Sequence, residues 1–340
     1  MPTLPVSAVG GLVRLEGDEI LFHNESFIDP PAWYRYRPAA AGGRDEVAKT
    51  ALAVTPAVDM SGVEVAREFA VSKDGTRVPI NLITRKGARR AGRNPTVLSA
   101  YGGYGISLTP RFDARVAVWL EQGGVYAIAN LRGGGEYGEA WHRAGNLTRK
   151  QNVFDDFTAC ARWLIDAKVT SPKKLAILGG SNGGLLMGAA LTQHPELYGA
   201  VVSYVGIYDM LRVELSPNGA FNVTEFGTVK DPEHFKAMHA YSPYHHVVDK
   251  TRYPAVLLTT GENDPRVDPM QSRKMTARLQ AATGSRAPVL LVTNTDAGHG
   301  AGSRDQRIRQ RVYMFAFLMD QLGMTYKAPR SAGTKDRAAT

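Results

Sequence analysis

The chain has 340 residues, 44% of them hydrophobic and 21% charged, with a formal net charge of +9. A chain of this length buries roughly three quarters of its unfolded surface, so one main domain with a minor appendage is expected, and the composition excludes a disordered or fibrous protein. Cys160 is the single cysteine, which excludes an intrachain disulfide, and no run reaches the roughly 18 to 20 apolar residues of a membrane span.

The opening "MPTLPVSAVGGLVRLEG" has no charged segment followed by an apolar one, so no export signal is read there and a cytoplasmic location is the default; a signal upstream of Met1 is a separate matter. Positive charge gathers in "TRKGARRAGR" (84–93), "SRDQRIRQR" (303–311) and the stretch from Lys327 onward. These runs lack interleaved aromatics or a nucleic-acid motif, so they are read as solvated faces and a loose basic tail at 327–340, with neither nucleic acid nor membrane as partner.

From residue 12 to about 85 the pattern is short and β-like: "LVRLEG", "EILFHNESF", "AWYRYRP", "AREFAVS" and "RVPINLITRKG". The turns are "EGDE" and "SKDGT", the second with the Asp-Gly pair of tight hairpins, and "PAAAGGRDEVAKTA" (38–51) reads as a linker or loop. Residues 1–64 are therefore taken as an N-terminal β-rich segment plus linker, and 65–326 as the main domain. A few hairpins cannot bury both faces alone, so something must cover them.

Beyond residue 94 apolar runs alternate with helical stretches, among them "TVLSAY", "GVYAIANLR", "DDFTACARWLIDA", "KLAILGG", "AVVSYVGI", "YPAVLLTTGEN" and "PVLLVTNTD". Apolar strands separated by amphipathic helices predict an α/β fold, a mainly parallel sheet with helices on both faces. Chemistry in such sheets collects at the carboxyl ends of the strands.

One such end carries "LAILGGSNGGLL" (175–186), in which a strand runs into Gly179-Gly180-Ser181-Asn182-Gly183 and then a helix. G-x-S-x-G between strand and helix is the signature of a nucleophile elbow, although five residues alone also arise by chance. The elbow requires an acid and then a histidine, each after a later strand. Asp264 follows "VLLTTGEN" and His299 follows "VLLVTNTDAG", in the required order. Asp268 and Asp296 compete for the acid role; Asp264 ranks first because it lies nearer the strand end than Asp268, and Asp296 is only three residues from His299. The other histidines have no HExxH or cysteine-pair companion, so no metal is expected, and triad chemistry needs only water, so no cofactor is expected. "GGGEYG" (133–138) formally matches a dinucleotide fingerprint, but no uninterrupted helix follows it, and its glycines fit better as a loop beside the site.

The runs "YGGYGIS", "NLRGGGEYGEAWH", "KQNVFDDF", "SPKKLAILGGSNGGLL", "YSPYHHV", "NDPRV" and "AGHGAG" resemble the catalytic domain of the prolyl oligopeptidase family of serine peptidases, over residues from about 65 to 325. The resemblance implies an α/β-hydrolase that cleaves short peptides on the carboxyl side of proline. It assigns Ser181 as nucleophile, His299 as general base and Asp264 as its partner, with the Asn182 N–H and the Tyr101 hydroxyl meeting the oxyanion. Arg266 would bind a substrate carbonyl, and Tyr104, Ile207, Phe226 and Val267 would line the proline pocket. Asn222 stands where the family usually carries a ring-stacking Trp, and Phe221 beside it is no direct equivalent. In the family a seven-bladed propeller caps this domain. Residues 12–37 resemble its last strands and the preceding blades are absent, which implies an open site, looser size selection and self-association through the face a propeller would cover. Two other readings stay open: a carboxylesterase of the same fold, and an inactive fragment.

Overall fold

The computed structural model describes residues 6–39, 43–300 and 302–328. The chain opens with β1 (Ser7–Arg14), β2 (Ile20–Ser26), β3 (Ala32–Arg37) and β4 (Glu46–Ala53), an antiparallel sheet in that spatial order. The linker expected at 38–51 is corrected here, because β4 begins inside it and pairs with β3 through Arg37↔Glu46 and Tyr36↔Val47. The run "EVAKTA" offers too few large apolar residues to announce a strand; backbone pairing with β3 holds it instead. Residues 40–42, and 329–340 of the expected basic tail, lie outside the described residues.

The rest of the chain winds around a second sheet. β5 (Val63–Val71) and β6 (Arg77–Arg85) form a hairpin on the "SKDGT" turn. Then follow β7 (Thr96–Ser99), α1 (Ala114–Glu121), β8 (Val125–Ala129), α2 (Glu139–Arg143), α3 (Gln151–Asp166), β9 (Leu175–Gly180), α4 (Asn182–Gln193) and β10 (Ala200–Tyr204). The chain closes with α5 (Val223–Phe226), α6 (Pro232–Tyr241), β11 (Ala255–Gly261), α7 (Met270–Ala282), β12 (Val289–Asn294) and α8 (Arg304–Gln321). The eight strands lie in the order β12-β11-β10-β9-β7-β8-β6-β5, parallel from β12 to β8, with β6 turned antiparallel to β8.

Strand alternation sends residues to two cores. Leu175 and Ile177 of β9 join a cluster with Phe154, Phe157 and Leu164 of α3 and Leu185 of α4, whereas Ala176 between them joins Trp119 of α1 and Phe317 and Leu318 of α8. The α3 positions 153, 157, 160 and 164 recur at three and four residues and are fully buried, which is why Cys160 is a packing residue. Each large side chain so buried contributes about 1.5 to 3 kcal/mol, and this burial is what holds α3 against the sheet. A third cluster, with Phe27, Met60, Ile83 and Leu120, ties the end of β2 to α1. The Phe112 N–H donates to Glu25 Oε1 across the same junction at 2.8 Å. The basic run at 303–311 is the exposed start of α8, where Ser303 and Gln306 form a reciprocal cap. Among the described residues no helix is long and apolar enough to cross a membrane.

Candidate active site

β9 ends at Gly180 and α4 begins at Asn182, so Ser181 occupies the turn by itself, with φ 58° and ψ −119°. A non-glycine residue at positive φ is strained, and it persists only where the surroundings dictate it. The flanking glycines supply that constraint by letting backbones meet. A Cβ on Gly179 would stand 2.3 Å from the Gly183 carbonyl oxygen, and one on Gly184 would stand 2.4 Å from Gly206 Cα. The glycines around Ser181 are thus required by close approach, and the result is a serine raised above the sheet at the head of a helix.

The loops after β11 and β12 bring the partners. His299 Nε2 is 3.0 Å from Ser181 Oγ, and His299 Nδ1 is 2.8 Å from Asp264 Oδ2. The other carboxylate oxygen of Asp264 accepts the N–H groups of Arg266 at 2.9 Å and Val267 at 3.0 Å. Burial pushes the Asp264 carboxyl up, but the hydrogen bonds from His299, Val267 and Arg266 outweigh it and the net shift is downward. An ionised carboxylate only accepts, so Nδ1 carries the proton and Nε2 is left to accept from Ser181. Asp268 instead accepts the Met270 N–H ahead of α7, and Asp296 is exposed.

Asn182 is the first residue of α4, so its N–H has no acceptor within the helix and sits at the positive end of the helix dipole. Its side-chain amide donates to the Tyr101 carbonyl at 2.6 Å, fastening the loop after β7 to the elbow. Burial raises the Tyr101 hydroxyl pKa, and a hydrogen bond with Ser181 opposes that in part. The phenol therefore stays protonated at neutral pH as a donor beside the serine.

A cavity of about 410 Å³ opens in front of Ser181, lined by Tyr104, Ile207, Phe221, Asn222, Arg266 and Val267, with Tyr101 and His299 at the serine end. Phe226, expected in the lining, has no exposed surface and packs edge-to-face behind Tyr104 at 5.8 Å. Phe221 takes an outer position instead, its ring stacked on Tyr104 at 5.8 Å and 14°. Asn222 is buried and accepts the Tyr104 hydroxyl at 2.7 Å. Among the described residues no carboxylate lies within ion-pairing distance of Arg266, which leaves its guanidinium free at the cavity rim. Gly133 and Gly135 pack on the carbonyls of Gly102 and Gly105, placing "GGGEYG" against the site loop. Asn218 and Ile106 also face the cavity, and nothing in their local sequence distinguishes them from ordinary loop residues.

A serine in a strand-turn-helix elbow, with an acid and a histidine delivered by later strands of one mainly parallel sheet, defines an α/β-hydrolase. Within that class the chain belongs to the prolyl oligopeptidase family, whose pattern matches residues 110–325. It is 38% identical over 310 residues to the prolyl endopeptidase of Elizabethkingia miricola, covering 90% of this chain and 43% of that protein. Its fold is similar to that of a solved prolyl endopeptidase studied for inter-domain dynamics, with 45% identity and a TM-score of 0.86 over 95% of this chain and 47% of the other. It is also similar to a post-proline cleaving enzyme from Rickettsia typhi, with 33% identity and a TM-score of 0.83 over 96% of this chain and 46% of the other. The chain spans less than half the length of these relatives.

Proposed function

We propose that this chain is a serine peptidase that cleaves short peptides on the carboxyl side of proline through an acyl-enzyme. The observation that carries the reading is the unbroken line from Asp264 Oδ2 through the His299 ring to Ser181 Oγ, at the mouth of an aromatic cavity. Ser181 Oγ attacks the peptide carbonyl carbon as its proton passes to His299 Nε2. The oxyanion is met by the Asn182 N–H and the Tyr101 hydroxyl, each such donor lowering the barrier by about 2.7 to 4 kcal/mol. His299 then hands the proton to the leaving amine, and water releases the acyl group by the same steps in reverse. Asp264 keeps the tautomer and offsets the positive charge on the ring. Arg266, unpaired at the rim, is assigned to a substrate carbonyl upstream of the scissile bond.

The cavity supports a residue such as proline that fits between the Tyr104 ring, Ile207 and Val267. The exposed ring of Phe221 at its rim supports a site that a peptide enters from solvent. The test is hydrolysis of paired chromogenic amides, one with Pro and one with Ala before the scissile bond, beside a p-nitrophenyl ester, with Ser181→Ala as control. Proline-selective amide cleavage that disappears in the variant is the expected result. Ester turnover without amide turnover would replace this reading with a carboxylesterase, and no turnover of either would leave an inactive fragment.

A further inference from the structure

Lys150 is a lysine with no exposed surface, at the start of α3. Lysine is almost never fully buried unless its charge is paired, because removing an ammonium from water is costly. Its Nζ donates to Glu225 Oε1 at 2.7 Å and to the Gly102 carbonyl at 3.0 Å, and lies 5.2 Å from the centre of the Phe226 ring. Glu225 is itself buried, and its second oxygen is 2.9 Å from His142 Nε2 on α2. Every contact of the ammonium therefore reaches a segment that adjoins the site. Gly102 follows Tyr101, the oxyanion donor; Glu225 precedes Phe226, the ring that backs Tyr104 in the cavity wall. Those two segments come from distant parts of the chain, and Gly102 is held at φ 61°, where an added Cβ would meet Val153.

We infer that Lys150 is a positioning residue of the hydrolytic site, its ammonium clamping the loop that carries Tyr101 to the short helix α5 that carries Phe226, so that oxyanion donor and cavity wall keep one spacing. The inference rests on the hydrolase reading above. A buried ion pair is commonly no more stable than apolar packing of the same volume, so stability alone does not explain a charge here. What an ammonium offers that a leucine does not is three directed donors that can hold a carbonyl and a carboxylate in fixed relation.

The test compares wild type, Lys150→Met, Glu225→Gln and the double variant in the full chain. Lys150→Met leaves the buried Glu225 carboxylate without its ammonium, with His142 as its remaining partner, and is expected to fold poorly. The double variant removes both charges, keeps an oxygen and gains an amide at position 225 to bond His142, and is expected to fold. All rates are divided by the number of serines titrated with an organophosphorus probe. The double variant should lose about 100-fold in kcat per titrated site on the Pro amide, in line with a displacement near 1 Å, and its preference for Pro over Ala should collapse. A role confined to stability would lower the titrated fraction and leave kcat per site and the Pro-to-Ala ratio within about twofold of wild type; that result overturns the inference. The same ratio is measured on p-nitrophenyl esters of N-acyl-proline and N-acyl-alanine. If wild type cleaves these esters but no amide, the peptidase reading fails while the ester ratio still decides for or against the clamp. If Ser181 neither labels nor turns over any ester, both fall.

Discussion

His299 Nε2 lies 3.0 Å from Ser181 Oγ although 118 residues separate them in the chain, and the two meet because the parallel strands β9 and β12 have their carboxyl ends on the same side of one sheet. The ring cannot turn away from this contact without giving up its second bond to Asp264, which is itself held by two backbone N–H groups. Asp264→Asn places an amide opposite Nδ1 and favours the wrong tautomer. Its expected effect is a fall in kcat of about 10,000-fold with a folded protein, and Ser181→Ala should remove the acylation burst entirely. Burst kinetics with an activated ester, alongside a thermal melt, measure both.

Tyr101 makes a separate demand. Replacing it with Phe removes one hydroxyl and leaves the ring, the loop and the Asn182 bond to its carbonyl in place. The loss should be about 100-fold to 1,000-fold in kcat, with KM nearly unchanged, because a donor of the proposed kind stabilises the transition state rather than the ground state. A rise in KM at constant kcat would assign Tyr101 to substrate binding instead.

Phe221 is the exposed ring of the cavity wall, 64% accessible and stacked on Tyr104. Phe221→Ala should leave the melting temperature close to wild type, since little buried area is lost. An aromatic contact worth about 0.5 to 1.5 kcal/mol would cost the Pro amide roughly 2-fold to 12-fold in kcat/KM relative to an ester with no ring in that position. Equal losses on both substrates would mean that Phe221 shapes the site without touching the proline ring.

Asp74 sits on the turn between β5 and β6 and pairs with Arg132, which also holds the buried Asp156 of α3. The hydrogen bond from Arg132 is the main cause that takes the Asp74 carboxyl down to about 2. A depressed folded-state pKa means that the pair contributes stability above the ordinary aspartate range and loses it as pH falls toward about 2. Asp74→Asn should therefore be less stable than wild type at about pH 6, with the gap closing between about pH 4 and pH 2. Urea midpoints across that range test the sign, and a gap that widens in acid would contradict it.

The end of β4 presents Leu52 to solvent, and Val54 just beyond it is exposed as well, at the open edge of the four-stranded sheet where among the described residues only β3 pairs with β4. Unpaired apolar edges invite a second chain. We expect concentration-dependent association between copies, abolished by Leu52→Lys with Val54→Lys, as measured by sedimentation velocity. A monomer at all concentrations would leave this edge without that role.

Much of this site was legible in the chain because the chemistry is punctuated locally. A strained serine turn needs glycines beside it, and the strand ends are marked by apolar runs that stop a few residues before Asp264 and before His299. The alternation of apolar strands and helices likewise announced a parallel sheet, since burial on both faces leaves no polar period. The strand β4 was hidden because pairing with β3, rather than a run of large apolar residues, holds it in place.

What the tertiary structure alone decided is which groups share a space. Phe226 reads like any aromatic wall residue until its neighbours bury it behind Tyr104, and Phe221 takes the outer position. Lys150 reads as one more cation in a basic chain, yet packing removes it from water and leaves Glu225 and the Gly102 carbonyl as its partners. Local patterns record the conformational needs of a turn or a strand. Desolvation and partnership between distant side chains are set by the closure of the fold around them.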